Sequence, residues 1–288
     1  MKFFISGLGN FYRSWKLVEK VVPAADDLGY YGVVLPDHYM WDWSQMPDRN
    51  STLDAWTAFS YLAVKTHNIK LATLVTPIPF RPPSMLAKMI ATLDVISSGR
   101  TILGVGAGWS KTEFDGYSEW NDAKTRVDKT EEGVQLIRRL WTEETVDFQG
   151  RFYKAKGAVL DPKPAQKPYP PLMFGGVSPR MLGMAGKYGD LCFIPPWTKM
   201  SFTDAKRMVE RAYRRANRST SLMFGAGSPT IPGGKFDMNT LSKDVQTAID
   251  NGCEFYVVAF SPDDYVPMMR QFQREIVPSF ESQTRLST

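Results

Sequence analysis

The chain has little cysteine and little histidine, two of each in 288 residues. Cys192 and Cys253 lie far apart without metal-ligand spacing. They exclude a disulfide framework and a cysteine zinc site, and they are expected of a reducing, cytoplasmic setting. His38 and His67 alone cannot build a histidine metal centre, so no metal is expected. No apolar run approaches the ~20 residues of a membrane helix, so no membrane span is expected. The opening MKFFISGLGNFYRS starts like a leader, but glycines and Asn10 interrupt it and no small-residue cleavage site follows. It reads as a first strand. No GxGxxG opens a βαβ unit, and P-loop, HExxH and GxSxG motifs are missing, which argues against Rossmann-style nicotinamide binding and serine or zinc hydrolysis.

Charge excludes little more. The net charge is +5 with a pI of about 9.0. The densest basic cluster, Lys206, Arg207, Arg211, Arg214, Arg215 and Arg218, alternates at helical period with Phe202, Ala205, Met208, Val209, Ala212 and Tyr213. That is the solvated face of an outer helix, so no nucleic-acid partner is expected.

What is present is an alternation of strands and helices. Strands are predicted over residues 2–8, 32–35, 69–75, 101–105, 172–174, 191–194, 222–224 and 255–260. Helices are predicted around 15–28, 53–64, 83–96, 127–140, 179–188, 202–217, 241–251 and 263–276. Eight β–α units argue for parallel strands with right-handed crossovers. A closed (β/α)8 TIM barrel leaves no strand edge; a doubly wound open sheet is the alternative. One domain over residues 1–288 is within the size of a single barrel. The rhythm breaks once, over residues 145–171, after the fourth helix. There TVDFQGRFYKAK reads as a hairpin turning at Gln149 and Gly150, and DPKPAQKPYPP as an extended return.

Residues 81–109, RPPSMLAKMIATLDVISSGRTILGVGAGW, are the most informative stretch. Pro82 and Pro83 open a helix, Gly99 stops it, and a buried strand runs into Gly106, Ala107 and Gly108. A strand end with so few side chains lets a flat ligand lie against the backbone, and such ends are where α/β proteins bind ligands. Asp37 and His38 close the second strand; His38 is a proton-handling candidate, or a rim residue with local hydrogen bonds only. Trp41, Trp43 and Trp109 are candidate walls of a substrate pocket. Gly175, Gly176, Val177 and Ser178 lead into a helix opened by Pro179, where free N–H groups and the helix dipole suit a phosphate. Ser178 equally suits a plain N-cap. Gly225 and Gly227, after the seventh strand, are further candidates for a cofactor's tail.

The motifs TLDVISSGRTILGVGAGW, LPDH (35–38), LVTPIPFRPP (74–83), LDPKP (160–164) and LMFGG (172–176), in this order, resemble the luciferase-like flavin and deazaflavin oxidoreductase superfamily. They look most like its coenzyme F420-dependent branch. The resemblance implies a luciferase-like TIM barrel and a redox ring beside Leu74, Val75, Thr76, Gly106, Ala107 and Gly108, with a non-prolyl cis peptide at Leu74–Val75. It also implies that Asp37 touches the ring's polar edge, that His38 faces a small-molecule substrate, that residues 145–171 cover part of the mouth, and that the protein is a homodimer. The branch's sugar-phosphate dehydrogenases carry a glutamate where this chain has Trp109, which argues for a more apolar pocket. The expected activity is hydride transfer between F420 and a small organic substrate. The alternatives are an FMN-dependent luciferase-like monooxygenase and a flavin-binding relative without turnover.

Overall fold

The computed structural model describes residues 1–9, 15–40, 52–228 and 237–284. The strands are β1 (Lys2–Ile5), β2 (Gly32–Leu35), β3 (Lys70–Thr73), β4 (Thr76–Pro77), β5 (Thr101–Gly106), β6 (Val146–Gln149), β7 (Lys154–Ala158), β8 (Leu172–Phe174), β9 (Leu191–Phe193), β10 (Met223–Ser228) and β11 (Phe255–Val258). The helices are α1 (Trp15–Asp27), α2 (Ala55–Lys65), α3 (Pro83–Ile96), α4 (Lys111–Tyr117), α5 (Ala123–Thr142), α6 (Pro179–Tyr188), α7 (Phe202–Arg215), α8 (Met238–Asp250), α9 (Tyr265–Glu275) and α10 (Val277–Thr284).

The large sheet runs β3-β2-β1-β11-β10-β9-β8-β5, and β3 pairs again with β5 through Leu71 and Thr101. All these pairings are parallel, so the sheet closes into the expected barrel. Short β4 continues the barrel wall beside β5. Alternation along the strands sorts the core into two clusters. Phe3 and Ile5 face the helices, while Phe4 joins Val34, Ile102, Met173, Phe193, Phe255 and Val257 in a separate cluster inside the barrel. Glycine makes room for the two interior rings: a Cβ on Gly32 would stand 2.4 Å from Phe4, and one on Gly225 would stand 2.1 Å from Phe255.

Outside, α1 buries Val18, Val21, Val22 and Ala25, following the helical period of its sequence. Only Ala205 and Val209 of α7 are buried, as expected for a solvated basic helix. Arg218 departs from that pattern, because it folds back on Asp190 at 3.2 Å. Among the described residues, no helix is long and apolar enough to cross a membrane.

The break after the fourth barrel helix, α5, contains the expected hairpin of antiparallel β6 and β7. Its turn is longer than the two residues expected. Glu132 of α5 shapes it by accepting the amides of Arg151, Phe152 and Tyr153 at 3.0, 2.8 and 2.7 Å. The proline-rich return carries cis bonds at Asp161–Pro162 and Lys167–Pro168. It is tied to the N-terminal end of β5, where Gln166 donates to Asp94 and to the Thr101 carbonyl at 2.6 and 2.7 Å. That corrects one expectation for the return, which lies at the opposite end of β5 from the mouth, and no residue of 145–171 is among those lining the cavity described below.

Candidate active site

The C-terminal ends of the strands surround a cavity of about 810 Å³, within the usual range for small-molecule and cofactor sites. Ser6 and Gly7 follow β1, Pro36 and His38 follow β2, Leu74 and Val75 follow β3, and Pro195 and Trp197 follow β9.

One wall has few side chains. Leu74, Val75, Gly106, Ala107, Gly108, Gly175 and Gly176 all line it. The Leu74–Val75 peptide is cis, as the motif resemblance implied. Val75 fills the notch between two glycines: a Cβ on Gly106 would stand 2.5 Å from its Cγ2, and one on Gly175 would stand 2.8 Å from its Cγ1. The bare strand ends therefore serve first to seat Val75, and the resulting surface is apolar. Gly108 has a positive φ of 77°. Its carbonyl accepts from Arg126 Nε at 3.2 Å. Arg126 opens α5, stacks its guanidinium 3.9 Å from the Trp120 ring centre, and lines the same cavity. Its burial lowers its pKa, which Asp122 opposes.

At one end, Val177 and Ser178 line the cavity just before α6. Ser178 acts as the N-cap, its Oγ accepting the Met181 amide at 3.4 Å, so the plain capping reading is realised. At the other end stands His38, with 11% of its side chain exposed. Its ring meets Trp109 edge-on, with centroids 5.8 Å apart. Trp109 and Trp197 both line the cavity and are 57% and 63% exposed.

The partner of His38 is Glu113, which sequence reasoning missed. Glu113 Oε2 lies 2.7 Å from His38 Nδ1, and Oε1 accepts the amides of Tyr39 and Met40 at 2.5 and 3.3 Å. Glu113 is 2% exposed. It sits on α4, a seven-residue helix between the predicted elements at 101–105 and 127–140. The S-x-x-E pattern from Ser110 to Glu113 was the available signal, because it marks a helix start.

The family model described as luciferase-like monooxygenase matches residues 4–234. The chain belongs to that family. The luciferase-like barrel is similar to several solved enzymes. A monooxygenase from Streptomyces bottropensis shares 20% identity over 97% of this chain and 100% of that one, with a TM-score of 0.79. An F420-dependent secondary alcohol dehydrogenase, solved with an F420–acetone adduct, shares 19% over 96% and 99%, with a TM-score of 0.79. The coenzyme F420-dependent tetrahydromethanopterin reductase of Methanopyrus kandleri shares 17% over 97% and 98%, with a TM-score of 0.74. At these identities the likeness shows the fold.

Within this luciferase-like barrel, most expected site residues converge on one cavity, but Asp37, Thr76, Gly225 and Gly227 do not. Asp37 is fully buried and absent from the lining. Its carboxylate accepts from Trp56 Nε1, Thr76 Oγ1 and both terminal nitrogens of Arg81 at 3.1, 2.7, 2.5 and 2.9 Å. Four donors within the wall leave it no route to a ring edge, which corrects the role that the resemblance implied. Thr76 is equally buried, and its hydroxyl is spent on Asp37 and Thr73. Gly225 faces Phe255 inside the barrel and Gly227 packs on the Val257 backbone, so neither reaches the cavity. His67 is exposed beyond α2, as expected. Trp41 and Trp43 lie outside the described residues.

Proposed function

We propose that this luciferase-like protein is an F420-dependent oxidoreductase that moves a hydride between the deazaflavin and a small, neutral organic molecule. The observation that carries the reading is His38 on the wall of a cavity whose facing side is apolar and poor in side chains. The apolar surface of Leu74, Val75, Gly106, Ala107 and Gly108, poor in side chains, suits a planar ring. The α6 N-terminus, with Gly175, Gly176, Val177 and Ser178, suits the cofactor's phosphate. When bound, the cofactor supplies the hydride chemistry. The protein's own part is to hold the ring, exclude water with Trp109 and Trp197, and exchange a proton with the substrate at His38. Similarity to an F420-dependent alcohol dehydrogenase and an F420-dependent reductase supports the cofactor assignment. The same reading carries a homodimer in the cytoplasm, which sedimentation and cell fractionation test.

The decisive experiment titrates the purified protein with F420 and with FMN, followed by fluorescence. A panel of alcohols and ketones is then run with the cofactor that binds. Tight F420 binding with alcohol- or ketone-dependent change of its redox state is expected. Binding of FMN alone, with oxygen-dependent turnover, would replace this reading with a flavin monooxygenase.

A further inference from the structure

Glu113 occupies a position that local rules reserve for another task. It is the third residue of α4, whose N-cap is Ser110. In an S-x-x-E box the serine hydroxyl caps the helix and the glutamate reaches back to the serine amide. Neither half of the hydroxyl–amide exchange is made by the side chains here. Ser110 makes no side-chain cap bond, and its buried Oγ has no hydrogen-bond partner. Glu113 instead reaches across to the segment after β2 and takes three contacts there, at His38, Tyr39 and Met40. A buried hydroxyl left unsatisfied costs stability. That cost is borne in a helix adjoining the cavity, where Glu113 itself forms part of the lining.

We propose that Glu113 is the positioning residue of the site and fixes the tautomer of His38. The two backbone amides can only donate, so Oε1 acts as an acceptor. A carboxylate has no proton to give, and Oε2 therefore takes the proton of Nδ1. A neutral imidazole carries one N–H, so a proton on Nδ1 makes Nε2 the basic nitrogen. Under the proposed oxidoreductase reading, on which this half of the inference rests, Nε2 takes the proton that an alcohol's oxygen loses as its carbon gives up hydride to the deazaflavin. The O–H bond breaks, the carbon–oxygen double bond forms, and the imidazolium stands against the Glu113 carboxylate. In the reductive direction Nε2 returns the proton to the new alkoxide oxygen. Among the described residues, the only ion-pair partner of Glu113 is His38. The pair thus makes Nε2 the one ring nitrogen through which the proton moves in either direction.

The chain's two histidines make the test direct. Protein labelled with 15N-histidine gives two ring systems by two-dimensional NMR, with His67 as the internal reference. For neutral His38 the Nδ1–H tautomer is expected; the Nε2–H tautomer in the parent protein would overturn the proposal with no variant needed. In Glu113→Gln, the amide oxygen continues to accept from Tyr39 and Met40, and its NH2 group faces Nδ1. His38 should switch to the Nε2–H form, while Glu113→Asp, which has only acceptors, should keep Nδ1–H. An unchanged tautomer in a folded Glu113→Gln protein would overturn the assignment. These spectra need neither cofactor nor substrate. If the protein proves to use FMN, the function is replaced and the tautomer result still stands. If F420 turnover is found with the wrong tautomer, the function stands and this inference falls. With the cofactor that binds, Glu113→Gln should lower kcat by about 10²-fold or more, within the range of lost acid–base help. Cofactor affinity should stay within a few-fold, and Glu113→Asp should recover part of kcat.

Discussion

Asp37 and Arg81 form a two-pronged ion pair in the wall behind the cavity, at 2.5 and 2.9 Å. Both are shielded, with 0% and 9% of their side chains exposed. Burial lowers the Arg81 pKa, but the hydrogen bonds and charge of Asp37 outweigh it and hold the guanidinium above its ordinary value. Arg81 also stacks on Tyr39, 5.1 Å from the ring centre. The pair therefore anchors the residues flanking His38.

Asp37→Asn should be a stability variant more than a catalytic one. Removing one partner of a buried pair costs about 3–5 kcal/mol where the other charge is left uncompensated, and here the upper bound is eased by Asp54, 3.8 Å from Arg81. Urea unfolding should show that loss. A melt within ~0.5 kcal/mol of the parent, together with abolished cofactor binding, would return Asp37 to a ligand role.

His38→Ala is expected to cut turnover by about 10²–10⁴-fold, the usual worth of acid–base help, with cofactor affinity within a few-fold. His67→Ala should leave rate and stability unchanged, because His67 is exposed. Steady-state kinetics with the substrate found by the panel decide this. Equal activity of the His38 variant and the parent would reduce His38 to a rim residue.

Val177→Asp places a negative charge beside the α6 N-terminus without touching the barrel core. If a phosphate sits there, affinity should fall at least about tenfold, and more at low salt than at high salt. Fluorescence titration at two ionic strengths measures it. Gly108→Val is a poorer probe of the same cofactor. A Cβ there would stand 2.4 Å from Phe114, at a φ of +77°, so it should disturb α4 and its Glu113 before any ligand is met.

Gly186→Ala should destabilise the protein although alanine favours helices. The added Cβ would stand 2.3 Å from the Val209 carbonyl and 2.7 Å from Ala212 Cβ, where α6 crosses α7. Overpacking of this kind costs about 1–3 kcal/mol, against ~1 kcal/mol of helix propensity gained. A denaturation midpoint at or above that of the parent would contradict the packing.

Both thiols should be silent in the native protein. Burial pushes Cys192 and Cys253 up to about 12, and the thiolate is the reactive form. Ellman's reagent at neutral pH should find no fast-reacting thiol in the folded chain and two after unfolding. Rapid native labelling of either cysteine would refute that burial.

The barrel was legible in the sequence because each of its units repeats one local pattern, a short apolar run followed by a helical stripe. The strand over residues 172–174 and the helix over 179–188 match the observed bounds. The glycine-rich end of β5 and the Gly175–Ser178 turn were legible for the same reason: backbone requirements at a strand end are written in neighbouring residues. The partner of His38 was not legible. Glu113 lies 75 positions away in a helix too short to show a period, and its own S-x-x-E signature points to a cap that is not made. The resemblance misplaced Asp37 too, because its partners Trp56 and Arg81 lie 19 and 44 positions further along the chain and only the fold brings them to it. Sequence determined the fold, the family and the face that carries the cavity, since these follow from local periodicity. Only the tertiary structure decided which carboxylate touches the histidine and which one is locked in the wall, since that choice depends on contacts between distant segments.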